Sequence, residues 1–136
     1  MNILRRLVLA VALTHLAPAL AQAPKQATAS AELQKDFAAF IATFRAALKA
    51  NDAAAVTGMT RLPFDTGDYP DATQFRTKGY PNIFTPKNRA CIQRTKAGYE
   101  RDQLGNDNYS IFCGELFFVF TKTQAGFLFT YVSDND

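Results

Sequence analysis

The chain has 136 residues, of which 48% are hydrophobic and 20% are charged, which is typical of one folded domain. Its formal net charge is +3, but Arg5 and Arg6 lie in a segment that we expect to be removed. Their loss leaves 13 basic and 12 acidic residues, a net charge of +1, so composition gives no reason to expect a nucleic-acid partner. The only histidine, His15, lies in the same segment, so the rest of the chain cannot build Ser-His-Asp or Cys-His catalytic sites.

The first 21 residues have the three parts of a secretory signal. Arg5 and Arg6 form the charged start, residues 7–16 form the apolar run, and Ala19-Leu20-Ala21 is a small-x-small cleavage site. The apolar run is too short to span a membrane, which takes roughly 20 apolar residues. We therefore predict a signal peptide over 1–21, a disordered leader over 22–30 and a single domain over 31–136. The protein would be secreted or periplasmic, with no membrane span after signal removal.

Cys91 and Cys113 are the only cysteines in the chain. In an oxidising compartment such a pair is expected to form a disulfide, and the spacing is not that of a C-x-x-C redox motif. Closing a loop of about 20 residues should stabilise the fold by roughly 3 kcal/mol. The bond would tie the middle of the chain to its C-terminal strands.

A long amphipathic helix is predicted to begin after Ser30, which is a good N-cap residue. Its apolar residues recur at spacings that place them on one face: Leu33, Phe37, Phe40, Ile41, Phe44 and Leu48. Arg45 is expected on the opposite, outer face. Asp52 is predicted to cap a second, short helix that ends near Met59.

The middle of the chain, 63–96, predicts loops and short helices. The residues expected to interrupt helices are Pro63, Gly79, Pro81 and Pro86. Residues 64–70 are predicted to form a loop, and Asp71 to cap a short helix that holds Phe75. Thr85 is a suitable cap for a further helical turn that starts at Pro86.

The C-terminal stretch Tyr109–Val132 is rich in aromatic and β-branched residues and predicts two antiparallel strands. Their turn is expected at 122–126, where Gly126 can adopt a positive φ. Gly114 is expected to mark a bulge rather than a turn. A preceding strand over 97–102 and a turn over 104–108 would extend the sheet to three or four strands.

The segment Leu116–Phe120 is apolar at every position, which predicts that both faces of this strand are covered. The long helix would cover one face. The other face would line a pocket or an interface, so ligand binding or a homodimer through the sheet is expected.

This order of elements is that of an α+β fold, with a long helix and short helices packed on a curved antiparallel sheet of three to four strands. Several segments carry a resemblance: the Phe37/Phe40/Phe44 helix, Asn51-Asp52, Leu62-Pro63-Phe64, Phe75, Ile83-Phe84-Thr85-Pro86, Arg89 and Gly126-Phe127. Through them, residues 32–132 resemble the nuclear-transport-factor-2-like (cystatin-like α+β) superfamily, which has a cone-shaped fold shared with ketosteroid isomerase and scytalone dehydratase. The resemblance implies a small secreted member of uncharacterised function, because fold does not fix activity.

Ketosteroid isomerase uses a Tyr and two Asp inside its cone, so residues of similar type are the candidates for acid–base chemistry here. The residues of these types are Tyr99, Tyr109, Tyr131, Asp102 and Glu115. None matches that family's motif, so no catalytic residue is assigned. The spaced carboxylates Asp65, Asp68 and Asp71 could coordinate calcium, but the spacing is not that of a calcium loop and Asp is a common turn former. No metal or cofactor is predicted.

Six basic residues and no acid lie between Ala72 and Tyr99: Arg76, Lys78, Lys87, Arg89, Arg94 and Lys96. They could form a face for an anionic partner or simply a solvated surface. The sequence therefore favours a non-catalytic binding or interaction module, for a small apolar ligand or a protein partner. The alternatives are an inhibitor or immunity protein of a secreted hydrolase, with this basic stretch as its contact, and an isomerase-like or dehydratase-like enzyme.

Overall fold

The computed structural model describes residues 27–64 and 67–134, and the predicted signal peptide and Asp65 lie outside these ranges. The helical elements are α1 (Ala31–Lys49), α2 (Ala53–Gly58), α3 (Ala72–Gln74), a π-helical turn (Phe75–Gly79), α4 (Tyr80–Ile83) and α5 (Pro86–Arg94). The strands are β1 (Gly98–Arg101), β2 (Asp107–Cys113), β3 (Leu116–Thr123) and β4 (Gly126–Asp134). They form one curved, unclosed antiparallel sheet in the order β1-β2-β3-β4. The predicted α+β fold class is confirmed. Across the described ranges, no helix combines the length and apolar character needed to cross a membrane.

Helix α1 lies against one face of the sheet, which we call the inner face. Ser30 caps the helix, because its side chain accepts a hydrogen bond from the Leu33 backbone N–H at 3.2 Å. The buried side chains of the helix are Phe37, Ile41, Phe44, Ala47 and Leu48. The Phe44 ring is fully buried and contacts Phe120 of β3, with ring centroids 5.1 Å apart. Burying one such side chain contributes about 1.5–3 kcal/mol, so the aromatic residues fix the helix on the sheet.

Arg45 is not on a free outer face, as its place in the helical pattern suggested. It donates from Nε to the Ile92 carbonyl at 2.9 Å and from Nη2 to the Thr95 carbonyl at 2.6 Å. These carbonyls belong to the C-terminal end of α5, where backbone acceptors lack helical partners. Arg45 therefore joins α1 to α5.

The segment after α2 covers the edge of β4. Asp52 caps α2 through the Ala55 N–H at 2.9 Å, as predicted. The Phe129 N–H then donates to the Met59 carbonyl at 2.8 Å, and the Arg61 N–H donates to the Phe129 carbonyl at 2.9 Å. These bonds pair groups of β4 that would otherwise remain open at the sheet edge.

The predicted break at Gly79 and Pro81 is wrong. Helical structure runs without interruption from α3 through the π-helical turn into α4. The Tyr80 N–H bonds to the Phe75 carbonyl in the wide turn, and Pro81, which has no N–H, follows in the first turn of α4. Gly79 is buried here because its backbone lies against the rings of Phe75 and Tyr69. The wide turn accommodates both residues without ending the helix.

Helix α5 is attached to the sheet by the disulfide predicted from the sequence. Thr85 caps the helix through the Asn88 N–H, and Pro86 occupies its first turn. Cys91 of α5 is bonded to Cys113 of β2, with Cα atoms 5.9 Å apart. The middle of the chain is thus tied to the second strand.

The C-terminal stretch forms three strands rather than the predicted two, and Gly114 lies in a turn rather than a bulge. Gly114 and Glu115 connect β2 to β3, and Gly114 has φ 68°, as the first central residue of a type II′ turn requires. The bulge lies elsewhere, at Thr130, because Val119 pairs with Tyr131 and Phe120 with Phe129. Gly126 adopts φ 104° at the second turn, as predicted.

The helices of the described residues leave uncovered the second face of the sheet, which we call the outer face. Phe118 and Phe120 of β3 are buried under the helices, whereas Phe117 and Val119 point the other way and are half-buried. Phe117 joins Phe112 and Tyr131 in a row across three strands, with centroids 5.8 Å and 6.0 Å apart. Phe112 and Tyr131 are 53% and 40% exposed, so the described residues leave this aromatic row open to solvent.

Candidate functional site

A groove opens between α1 and the β1–β2 pair, and we call it the tyrosine groove. The residues lining it include Gln34, Phe37, Ile41, Ala97, Tyr99 and Tyr109. Two adjoining parts enclose about 260 Å³ and about 290 Å³. Apolar side chains line much of the first part, and the polar side chains along the groove include Gln34, Arg45, Lys96, Tyr99 and Tyr109.

The two tyrosines are brought together by strand register. Tyr99 of β1 pairs with Tyr109 of β2, so both side chains point to the inner face, with ring centroids 5.4 Å apart. Helix α1 places Phe37 flat against Tyr109, with centroids 3.8 Å apart and the planes 3° from parallel. This stack holds the Tyr109 ring in one orientation at the base of the groove.

The Tyr109 hydroxyl is buried and has no hydrogen-bond partner within 27–64 and 67–134. The residue is only 7% exposed. Burial raises the pKa of this phenol, and the Asp107 carboxylate adds to the rise. The group is therefore a neutral donor at physiological pH, and nothing in the described chain accepts its proton.

Tyr99, in contrast, has a strong partner. Its hydroxyl donates to Asp107 Oδ1 at 2.7 Å, and this hydrogen bond raises the pKa of Tyr99. Arg101 Nη1 donates to the same oxygen at 3.0 Å. One carboxylate oxygen of Asp107 thus accepts hydrogen bonds from two side chains.

The other candidate acid–base residues do not meet in the groove. Asp102 organises the β1–β2 turn, where it accepts bonds from Leu104, Asn106 and Asn108. These bonds, that from the Asn106 side chain first, lower the pKa of Asp102. Glu115 is exposed in the β2–β3 turn, and Tyr131 lies on the outer face.

Asp107 and Phe37 were missed as site residues by sequence reasoning. Asp107 was not singled out, and Phe37 was assigned to the core alone. The signal for Asp107 is the alternation Tyr99-x-Arg101 and Asp107-x-Tyr109 about the turn, which places all four side chains on one face once the register is known.

The spaced carboxylates do not form a metal site in the described chain. Asp68 is exposed, and Asp71 caps α3 by accepting from the Gln74 N–H at 2.8 Å. Across the described residues, no three His, Cys, Asp or Glu side chains lie together in a way that could hold a metal ion.

The basic stretch 76–96 is divided by the fold. Arg76 and Arg89 line one groove at the helical end, Lys96 lies at the rim of the tyrosine groove, and Lys78 is exposed. Arg76 and Arg89 thus line a different groove from Lys96, so the six basic residues do not all line one groove.

Comparison of the chain with protein-family models, with curated proteins and with solved structures finds no significant match. The resemblance to the nuclear-transport-factor-2-like superfamily stays a prediction.

Proposed function

We propose that the protein is a secreted or periplasmic binding module of the nuclear-transport-factor-2-like class that holds a small, flat, mostly apolar ligand in the tyrosine groove. The observation that carries this proposal is the Tyr109 hydroxyl, a buried donor with no partner among the described residues, on a side chain that lines the tyrosine groove. A buried polar group is normally hydrogen-bonded, so a ligand acceptor at this position would complete the site.

The ligand chemistry follows from the walls of the groove. Phe37 and Ile41 offer apolar contacts, and the rigid Phe37–Tyr109 stack suits a flat molecule. The Tyr109 hydroxyl can donate one hydrogen bond, so the ligand needs one acceptor, such as a ketone or ether oxygen. The volume of the two parts limits the ligand to a small molecule.

Prodan, a flat fluorescent naphthyl ketone, is a suitable probe because its emission shifts in apolar and hydrogen-bonding surroundings. We expect binding that weakens by about two- to tenfold in Tyr109→Phe, since one hydrogen bond contributes about 0.5–1.5 kcal/mol. Tyr131→Phe makes the same chemical change on the outer face and should bind like the wild type. Equal binding by the Tyr109→Phe variant would contradict the proposal.

A second candidate function is proton transfer of the isomerase or dehydratase kind, favoured by the Tyr99–Asp107 hydrogen bond beside Tyr109. In this function Asp107 would remove a proton next to a carbonyl that Tyr109 polarises. The measurement is deuterium uptake at the carbon beside the prodan carbonyl in heavy water. Deuterium uptake that disappears in Asp107→Asn would support an enzyme. Prodan binding without deuterium uptake would contradict the enzyme and support the binding module.

A further inference from the structure

A second groove, at the opposite end of α1, contains two arginines and no described acid that pairs with them. We call it the arginine groove; it encloses about 400 Å³, and its lining includes Asn51, Arg76, Tyr80, Pro81, Pro86 and Arg89. The ion pairs of the described chain are Arg101–Asp107 and Lys122–Asp36, so neither Arg76 nor Arg89 is neutralised by direct contact there.

The groove holds one of its arginines in a fixed position. Asn51 follows α1 with φ 53°, and its side-chain oxygen accepts from the Tyr80 hydroxyl at 2.9 Å and from Arg89 Nη1. A guanidinium carries five N–H donors, so the other donors of Arg89 remain for a ligand. Burial raises the pKa of Tyr80, which keeps this phenol a neutral donor to Asn51.

The groove is also placed at the N-terminal end of α5, whose cap Thr85 and first residue Pro86 belong to its lining. The helix dipole favours negative charge at this end. Asp52 is the acid near Tyr80, and its Oδ1 accepts from the N–H of Ala55 at the start of α2. The two guanidinium groups of the lining therefore outweigh the Asp52 carboxylate, which is not among the lining residues.

We propose that the arginine groove binds a small organic oxyanion, a phosphate or carboxylate group on an apolar body. Arg89 and Arg76 would hold the oxygens, since guanidinium matches the geometry of both groups. The faces of Pro81 and Pro86 and the edge of Tyr80 would contact the apolar part. This site shares no lining residue with the tyrosine groove, so it does not depend on the function proposed above.

Phenyl phosphate is the test ligand, followed through the arginine side-chain N–H signals in NMR spectra of the protein after signal removal. We expect saturable shifts of the Arg89 and Arg76 signals and about tenfold weaker binding in Arg76→Gln. Arg76 is exposed and makes no hydrogen bond to the described residues, so this variant should fold normally even if Arg89→Gln does not. Lys78→Gln is the matched control, because it removes the same charge from an exposed site outside the groove.

Equal weakening by Lys78→Gln, or shifts that do not saturate, would show diffuse charge attraction and overturn the proposal. Inorganic phosphate should bind more weakly than phenyl phosphate, because it has no apolar part. Benzyl alcohol, which has no anionic group, should not shift the arginine signals. Equal binding of the two phosphates would contradict the proposed contact with the apolar part of the ligand. Vesicles containing phosphatidate distinguish the source of the ligand. Retention that Arg76→Gln abolishes would assign the oxyanion to a lipid headgroup, and phenyl phosphate binding without retention would assign it to a free molecule.

Discussion

Tyr109 carries a buried hydroxyl that has no acceptor in the described chain, an arrangement that costs about 1–3 kcal/mol in a folded protein. Tyr99, its direct partner on the neighbouring strand β1, carries the same group with a charged acceptor. The hydroxyl of Tyr109 is thus expected to lower the stability of the fold, and the hydroxyl of Tyr99 to raise it.

Replacing Tyr109 with Phe should raise the free energy of unfolding of the ligand-free protein by about 1 kcal/mol, because the substitution removes an unsatisfied polar group and keeps the ring. Tyr99→Phe should lower the free energy of unfolding, because it removes the bond to Asp107. Urea denaturation measures both. A loss of stability in Tyr109→Phe would mean that its hydroxyl has a partner, and the ligand proposal would lose its main support.

Asp102 gives the molecule a pH dependence whose sign follows from its hydrogen bonds. Its pKa in the folded protein lies below the ordinary value of 3.8, so the folded state favours the carboxylate. The resulting stability is present above the unfolded pKa and is lost as the pH falls through the folded pKa.

We therefore expect Asp102→Asn to be less stable than the wild type at pH 7, and the difference to shrink as the pH is lowered below 3.8. Asp68→Asn removes a charge from an exposed site and is the control. Thermal unfolding across this pH range measures the effect. A difference that grows in acid would contradict the assigned sign.

At the scale of elements, the helix starts were predictable because caps are local. Ser30, Asp52, Asp71 and Thr85 each bond to an N–H three residues ahead, so a short window of sequence contains the whole interaction. The placement of the helices before the strands, and with it the fold class, followed from periodicity in the same way.

Features that depend on distant partners were not predictable. A turn and a bulge both favour glycine, and Gly114 could be assigned only from the pairing of Cys113 with Leu116. The tyrosine groove has the same origin, because it requires the Tyr99–Tyr109 register and the packing of Phe37 from α1. The sequence shows that these aromatic residues are present, but it does not show that they lie together in the folded chain.

Gly79 was mistaken for a breaker because its role is tertiary. A Cβ at this position would lie 3.0 Å from Phe75 Cδ2 and 3.1 Å from the Tyr69 ring. Gly79→Ala should therefore be destabilising, by about 1–3 kcal/mol for an overpacked site. Gly58, in α2, has nothing within 4 Å of its Cβ position, so Gly58→Ala should be neutral or stabilising by about 0.5–1 kcal/mol. Chemical denaturation of both variants checks the contrast, and similar effects would show that close packing is not the reason for Gly79.

At the scale of the whole molecule, the helices cover one side of the sheet and leave the other with mixed chemistry. A polar chain crosses the outer face, in which Thr121 donates to Asn108 at 2.7 Å and lies 2.8 Å from Thr130. Beside it runs the aromatic row of Phe112, Phe117 and Tyr131. The polar chain satisfies its own groups, so the aromatic row is the part of this face that gains from being covered.

The predicted homodimer through the sheet can be tested on this row. We expect self-association at high protein concentration that Phe112→Lys weakens, because a charge within an apolar contact must be desolvated. Phe112 is 53% exposed, so the monomer should keep its stability. Leu104→Lys is the control: Leu104 is 89% exposed, but it lies in the β1–β2 turn away from the row. Sedimentation velocity over a range of concentrations measures the effect. A monomer at every concentration, or equal loss of association in both variants, would show that the row is not a self-association surface.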